Sequence, residues 1–292
     1  MEEFEYREFP LERAGIALHL DRVRLAGRRP RRNILLTHGV TYSSHEFDVD
    51  CKDYSLVRRL AREGYAVWRL DIAGYGRSGA VEDGFLPDSD YAAADVGAAV
   101  GLIVSESGEK TIDLLGWSWG TVTAGRFAAR HPDCLRRLVL YAPILTGIGR
   151  AEITEPFHRN SREHAEEDFQ KRADGSVDLA VAERAVVERY CGNCLRFDGA
   201  HSPNGGRRDI CVERERDLIP LEQIQTPTLV ICGDRDPYLN YERLKGSLSR
   251  LPKGSALSLI PGGAHMLMLE APFYLEFQST VVRFLADGTI ER

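Results

Sequence analysis

Thr111-Ile112-Asp113-Leu114-Leu115-Gly116-Trp117-Ser118-Trp119-Gly120 is the stretch on which the fold of this chain turns. Residues 111–116 form a short, mostly apolar run with the length of a buried strand. Residues 118–131 have the pattern of a helix, stopped by Pro132. Between them sits G-x-S-x-G, built from Gly116, Ser118 and Gly120. A strand that passes straight into a helix needs so tight a turn that only small residues fit two positions either side of the serine. The serine side chain is then lifted above the end of the sheet. The helix that begins there aims backbone N–H groups at developing negative charge. The same letters also describe a Gly-Ser turn that merely caps a helix; the strand–turn–helix setting favours a nucleophile.

Outward from this point, strands and helices alternate. Upstream, strands are expected at residues 3–9, 16–25, 33–37 and 65–72, and helices at 54–63 and 91–105, the latter with Asp90 as N-cap. Downstream, strands are expected at 135–141, 227–233 and 256–260, and helices at 241–251 and 272–285. The alternation predicts an α/β fold, with a mostly parallel central sheet of about eight strands and helices on both faces. It stops between residues 145 and 218, a polar, charged stretch with no good apolar strand and two expected helices, at 161–171 and 179–190. So long a stretch is not a bare loop in a compact domain. We expect a helical cap at 145–218, inserted into a core made of residues 1–144 and 219–292.

Composition narrows the class. The chain has 292 residues, 43% hydrophobic and 28% charged, as in an ordinary globular protein. Its formal net charge of -6 gives no broad attraction to nucleic acid or anionic lipid, so neither is expected as a partner. No apolar run approaches the roughly 18 residues that span a bilayer. The stretch Met1-Glu2-Glu3-Phe4-Glu5-Tyr6-Arg7 lacks the basic start and apolar core of a signal peptide. A cytoplasmic location is therefore expected, with the six cysteines mostly reduced. Cys191, Cys194, His201 and Cys211 could supply four zinc ligands on paper, but their spacing is not that of a standard finger, and no metal is expected.

A serine hydroxyl is a weak nucleophile and needs a base. The best candidate is His265, in the glycine-rich loop Pro261-Gly262-Gly263-Ala264-His265 after the last strand. Such loops project at the sheet edge that carries Ser118. His38 ends a strand but is better suited to shaping the loop around Gly39, and His131 ends a helix before Pro132. A carboxylate should hold the histidine in the right tautomer. Asp234 and Asp236 both follow residues 227–233, and spacing does not decide between them.

The order nucleophile, acid, histidine resembles the α/β-hydrolase superfamily, in particular its capped serine esterases and thioesterases. The resemblance covers residues 15–287 apart from the cap. Similar members carry G-x-x-D after the penultimate core strand; here Gly233-Asp234-Arg235-Asp236 matches, which selects Asp236. Members that place the acid one strand earlier find no counterpart in Tyr141-Ala142-Pro143-Ile144-Leu145. His38-Gly39-Val40 matches the family's HG loop, which implies that the N–H groups of Val40 and Trp119 form an oxyanion hole. Each such donor is typically worth about 10²–10³ in rate. Asp71-Ile72-Ala73-Gly74-Tyr75-Gly76-Arg77-Ser78 matches a structural turn of the family. Residues 74–79 also satisfy the dinucleotide pattern G-x-G-x-x-G, but that motif opens a helix, and residues 80–90 are polar with Gly84 and Pro87.

The resemblance implies hydrolysis of a small-molecule ester, thioester or lactone through an acyl-enzyme, with no metal or organic cofactor. A serine argues against the epoxide hydrolases and haloalkane dehalogenases of this fold, whose nucleophile is an aspartate. C–C bond hydrolysis, acyl transfer or a lyase reaction can use the same three residues, and a non-catalytic binding protein is the remaining alternative. Expected substrate contacts are Thr41, Tyr42 and Trp117, with Glu46, Phe47 and Trp119 also near the mouth. These aromatics suggest a cyclic or aromatic substrate part, or simply core packing. The cap is too polar for a triglyceride lid, which favours a small, partly polar substrate. In Asn204-Gly205-Gly206-Arg207-Arg208-Asp209, either Arg207 or Arg208 faces the pocket to pair with a substrate carboxylate or phosphate, unless the segment is only a solvated turn.

Overall fold

Strands β1 (Phe4–Arg13) and β2 (Ile16–Leu25) pair antiparallel through a two-residue turn, Ala14-Gly15, in which both φ angles are positive. This computed structural model describes residues 3–290; Met1 and Glu2, part of the amino-terminal stretch considered above, lie outside it. β1 runs four residues past the expected end because pairing with β2 carries it through Pro10, which an edge strand tolerates.

The chain continues through β3 (Arg32–Thr37), α1 (Leu56–Arg62), β4 (Tyr65–Leu70), α2 (Ser89–Ser107), β5 (Ile112–Trp117), α3 (Trp119–Arg130) and β6 (Leu135–Tyr141). An excursion follows: β7 (Phe157–Arg159), α4 (Arg162–Ala165), α5 (Arg184–Phe197), β8 (His201–Pro203) and α6 (Gly205–Ile210). The chain then returns with β9 (Thr228–Gly233), α7 (Tyr241–Ser247), β10 (Ala256–Ile260) and α8 (Phe273–Asp287). Eight strands form one sheet in the order β1-β2-β4-β3-β5-β6-β9-β10, antiparallel at β1, β2 and β4 and parallel from β4 to β10. This is the α/β-hydrolase fold.

Alternation along the central strands sends side chains into two cores. Leu35 and Leu114 join Val96 and Ala99 of α2 and Val122 and Phe127 of α3 on one face. Ile34, Leu36 and Leu115 join Leu56 and Leu60 of α1 and Phe277 and Val281 of α8 on the other.

Several local expectations need correction. Helix α2 starts at Ser89, and its N-cap is Asp88, whose carboxylate accepts from the N–H groups of Asp90 and Tyr91. Asp90 instead pairs with Arg126 and Arg130 of α3. In the excursion, the helix expected at 161–171 shrinks to the single turn of α4. The second helix lies later than expected because Val186, Val187, Tyr190, Cys191 and Cys194 make a continuous buried stripe across Gly192-Asn193. Two short strands also occur there, β7 and β8, paired antiparallel. The ends of the excursion meet: the Leu218 N–H donates to the Leu145 carbonyl at 2.9 Å, and Thr146 bridges Asp217. Among the described residues no helix is long and apolar enough to cross a membrane.

Candidate active site

Ser118 links β5 to α3 with φ 55° and ψ -122°, a conformation that L residues rarely adopt. The turn tolerates it only because its glycines let backbones touch. A Cβ on Gly116 would lie 2.2 Å from the Gly120 carbonyl oxygen, and one on Gly120 would lie 2.3 Å from that of Thr37. The Ser118 N–H donates to the Tyr141 carbonyl at 3.0 Å, which ties the turn to β6. Trp119 is the first residue of α3, so its N–H has no acceptor within the helix. Gly39 lets the preceding loop close on the serine: a Cβ there would sit 3.4 Å from the Ser118 Cβ. Ser118 and Thr41 (φ 104°) both carry positive φ beside the cavity, where strain of this kind tends to collect.

His38 shapes that loop. Its Nε2 accepts from the Ile72 N–H at 3.1 Å and its Nδ1 meets the Gly39 carbonyl at 2.8 Å. Burial pushes its pKa down despite Asp71, so the ring is neutral at physiological pH.

His265 is 1% exposed, and its Nδ1–H donates to Asp236 Oδ2 at 2.7 Å. Asp236 is itself 3% exposed. Asp234, the other aspartate that spacing left open, is exposed and accepts from the Gly262 N–H at 2.7 Å, holding the histidine loop rather than the histidine. The two loops interlock through glycine, since a Cβ on Gly233 would lie 2.1 Å from the Gly263 carbonyl oxygen. Burial alone would drive the His265 pKa down. The charge and hydrogen bond of Asp236 outweigh it, aided by Asp168 and Glu270, and the pKa is raised.

Ser118 and His265 line one cavity of about 350 Å³, together with Val40, Thr41, Tyr42 and Trp117. Its aliphatic wall is Ile144, Ile148, Ile153 and Ile210, and the excursion contributes Arg150, His158, His164, Asp168 and Arg207. The volume suits a small molecule.

Residues 28–272 match the family described as serine aminopeptidase, S33, a span that includes all the residues just placed. The chain belongs to the serine aminopeptidase S33 family. Among relatives of this S33 chain, the mouse protein "Serine hydrolase BPHL" is 29% identical over 239 residues, covering 78% of this chain and 72% of the relative. A Neisseria meningitidis "Pimeloyl-[acyl-carrier protein] methyl ester esterase" is 26% identical over 277 residues, covering 88% and 93%. A solved Vigna radiata epoxide hydrolase mutant superposes with TM-score 0.70 at 15% identity, over 97% of this chain and 98% of that one. At that identity the likeness speaks to fold alone.

The S33 fold sorts the remaining expected contacts. Thr41, Tyr42, Glu46 and Trp117 reach the cavity; Phe47 and the Trp119 ring do not. Trp119 is buried over Gly206 and donates its Nε1–H to Ser89 Oγ at 2.9 Å. Arg207 lines the cavity, whereas Arg208 points outward and lays its guanidinium 4.4 Å over the Phe85 ring. On the short helix α6, consecutive side chains diverge by about 100°. Cys191 and Cys194 pack into one core and Cys211 into the other, while His201 is exposed, so these four do not converge.

Some supporting residues escaped the sequence. The Tyr141 hydroxyl donates to the His265 carbonyl at 2.9 Å and accepts from the Met268 N–H at 3.1 Å, bracing the histidine loop. Tyr238 stands edge-on to the His265 ring at 4.7 Å. Asp198, at the end of α5, accepts from His45 Nε2 at 2.7 Å and from the N–H groups of Ser43 and Gly76, which ties the excursion to the loop after β3. The Tyr190 hydroxyl donates to Glu46 at 2.8 Å. None of these carries a local motif. A tyrosine at a strand end or an aspartate after a helix looks the same wherever it occurs.

Proposed function

We propose that this chain is a serine hydrolase that cleaves a carboxylic ester, thioester or lactone of a small molecule through an acyl-enzyme. The observation that carries the proposal is the buried His265–Asp236 pair opening onto the same cavity as a serine lifted on a positive-φ turn. The esterase names of relatives such as that from Neisseria meningitidis support the ester class.

Ser118 Oγ attacks the carbonyl carbon, and His265 Nε2 takes its proton. Asp236 keeps the other proton on Nδ1 and stabilises the imidazolium that forms. The N–H groups of Val40 and Trp119 receive the oxyanion. His265 returns its proton to the leaving group, and water, activated by the same histidine, releases the acid. No step uses a metal or organic cofactor. Residues 145–218 act as a cap over the cavity, and Thr41, Tyr42 and Trp117 contact the substrate. The six free thiols suit a reducing compartment such as the cytoplasm.

The test is labelling by a fluorophosphonate probe, followed by a panel of aryl esters and thioesters. Wild type should label stoichiometrically and turn over members of the panel. Ser118→Ala should do neither. Labelling that persists in Ser118→Ala, or wild type that neither labels nor turns over, refutes the proposal.

A further inference from the structure

On the Thr41 side of the cavity stands a cation with no paired anion among the described residues. The Arg207 Nε–H donates to Asn204 Oδ1 at 3.0 Å, and a terminal nitrogen donates to Thr41 Oγ1. Both acceptors are neutral, and most of the five N–H donors of the guanidinium are left over. Among the described residues Arg207 makes no ion pair. The other arginine on the cavity, Arg150, lies 3.5 Å from Glu167 and over the Tyr238 ring.

The neighbours of Arg207 sharpen the contrast. His158 presents a buried Nε2 with no hydrogen-bond partner among the described residues, and its ring meets that of His164 edge-on at 4.4 Å. Burial, then the charges of Arg207 and His164, lower the His158 pKa to about 4, so it adds a neutral polar group rather than a second charge. The acidic groups of the cavity do not compensate Arg207. Asp168 accepts from the Tyr238 hydroxyl at 2.8 Å, on the His265 side. Glu46 is 1% exposed, bonded to Tyr190 and the Gly39 N–H, and burial raises its pKa well above the ordinary value. Its carboxyl is thus engaged by Tyr190 and Gly39 rather than by Arg207.

We propose that Arg207 docks a carboxylate carried by the substrate, so that the preferred substrates are small acidic esters or thioesters such as half-esters of aliphatic dicarboxylic acids. The inference rests on the hydrolase function proposed above. Thr41, which holds the guanidinium, directly follows Val40 in the oxyanion loop, and consecutive Cα atoms are only about 3.8 Å apart. A carboxylate on Arg207 therefore lies a few bonds from the scissile carbonyl, with the aliphatic wall beside the methylenes between them. The planar fork matches a carboxylate in two parallel bonds, and one guanidinium neutralises its single charge.

The test compares 4-nitrophenyl hydrogen glutarate with its shape-matched neutral counterpart, 4-nitrophenyl 5-methylhexanoate. The readout is the ratio of their kcat/KM values in wild type, Arg207→Gln and Arg207→Lys. The ratio should fall about 30-fold or more in Arg207→Gln and recover in part in Arg207→Lys, which keeps the charge but not the fork. In a second arm, Ser118→Ala, with and without Arg207→Gln, is titrated calorimetrically with monomethyl glutarate and with dimethyl glutarate. The added substitution should weaken binding of the monoester at least about tenfold relative to the diester. Cleavage of both aryl esters with a ratio that moves less than threefold, and titrations that do not separate the two ligands, overturn the carboxylate site and leave the hydrolase standing. Failure to cleave either ester, with the selective loss of monoester binding intact, does the reverse.

Discussion

Asp236→Asn is the sharpest probe of the site. The carboxylate oxygen lies 2.7 Å from His265 Nδ1, and both side chains are almost fully buried, so the isosteric amide keeps the packing. It changes the chemistry in two ways. The amide NH₂ can donate to Nδ1, which moves the ring proton to Nε2, the atom that must accept the serine proton. The negative charge that outweighs burial is also lost. An equivalent carboxamide swap in a well-studied serine protease costs about 10⁴ in kcat, roughly 5 kcal/mol of transition-state stabilisation, and a loss of that order is expected here. The pH profile carries independent information. The wild-type pKa of His265 is raised, and a general base acts only when neutral, so activity should rise with pH through a value above that of an ordinary histidine. In Asp236→Asn, burial acts with less opposition and the limb should move to lower pH while the plateau falls. The assay is initial-rate hydrolysis of 4-nitrophenyl acetate from pH 5 to 9, with circular dichroism as the check on folding. A folded variant that retains more than a tenth of wild-type kcat, or keeps the wild-type limb, refutes the assigned role of Asp236.

Two further substitutions test the structure around the site by urea unfolding. In Gly120→Ala the new Cβ would meet the Thr37 carbonyl oxygen at 2.3 Å, backbone against backbone, and the expected loss is about 3 kcal/mol or more. Gly101→Ala on α2, with nothing within 4 Å, should instead gain about 0.5–1 kcal/mol; equal effects at the two positions would contradict the close approach. Glu46→Gln tests the buried acid: its folded pKa is raised by burial, against the bonds from Tyr190 and Gly39, so the folded state holds a proton that the unfolded state releases above its own pKa. Stability therefore falls by up to roughly 1.4 kcal/mol per pH unit as pH rises above the ordinary glutamate range, and the glutamine, which never ionises, should gain on wild type over that rise; a difference independent of pH would sink the assignment.

Much of the scaffold was legible because it is written in short-range terms. Apolar runs of strand length, amphipathic helices and their stops depend on residues within a few positions of one another, and these placed the elements of the sheet within a few residues. Where the local signals misled, the cause was tertiary. Asp88 caps α2 because Ser89 is drawn into the helix under Trp119, and α5 runs through Gly192-Asn193 because its buried stripe continues on the far side. The polar composition of 145–218 hid β7 and β8, whose pairing depends on a partner some 40 positions away rather than on apolar alternation.

The G-x-S-x-G turn was settled by sequence alone, because its glycines answer a steric demand made by their nearest neighbours. The same local reasoning singled out Ser118 and the glycine-rich loop of His265 as candidates. Which of two adjacent arginines enters the cavity, and that the Trp119 ring turns away from it, were decided only in three dimensions. Each depends on distances of a few ångströms between groups tens to hundreds of residues apart, and those distances exist only once the sheet has gathered its strands.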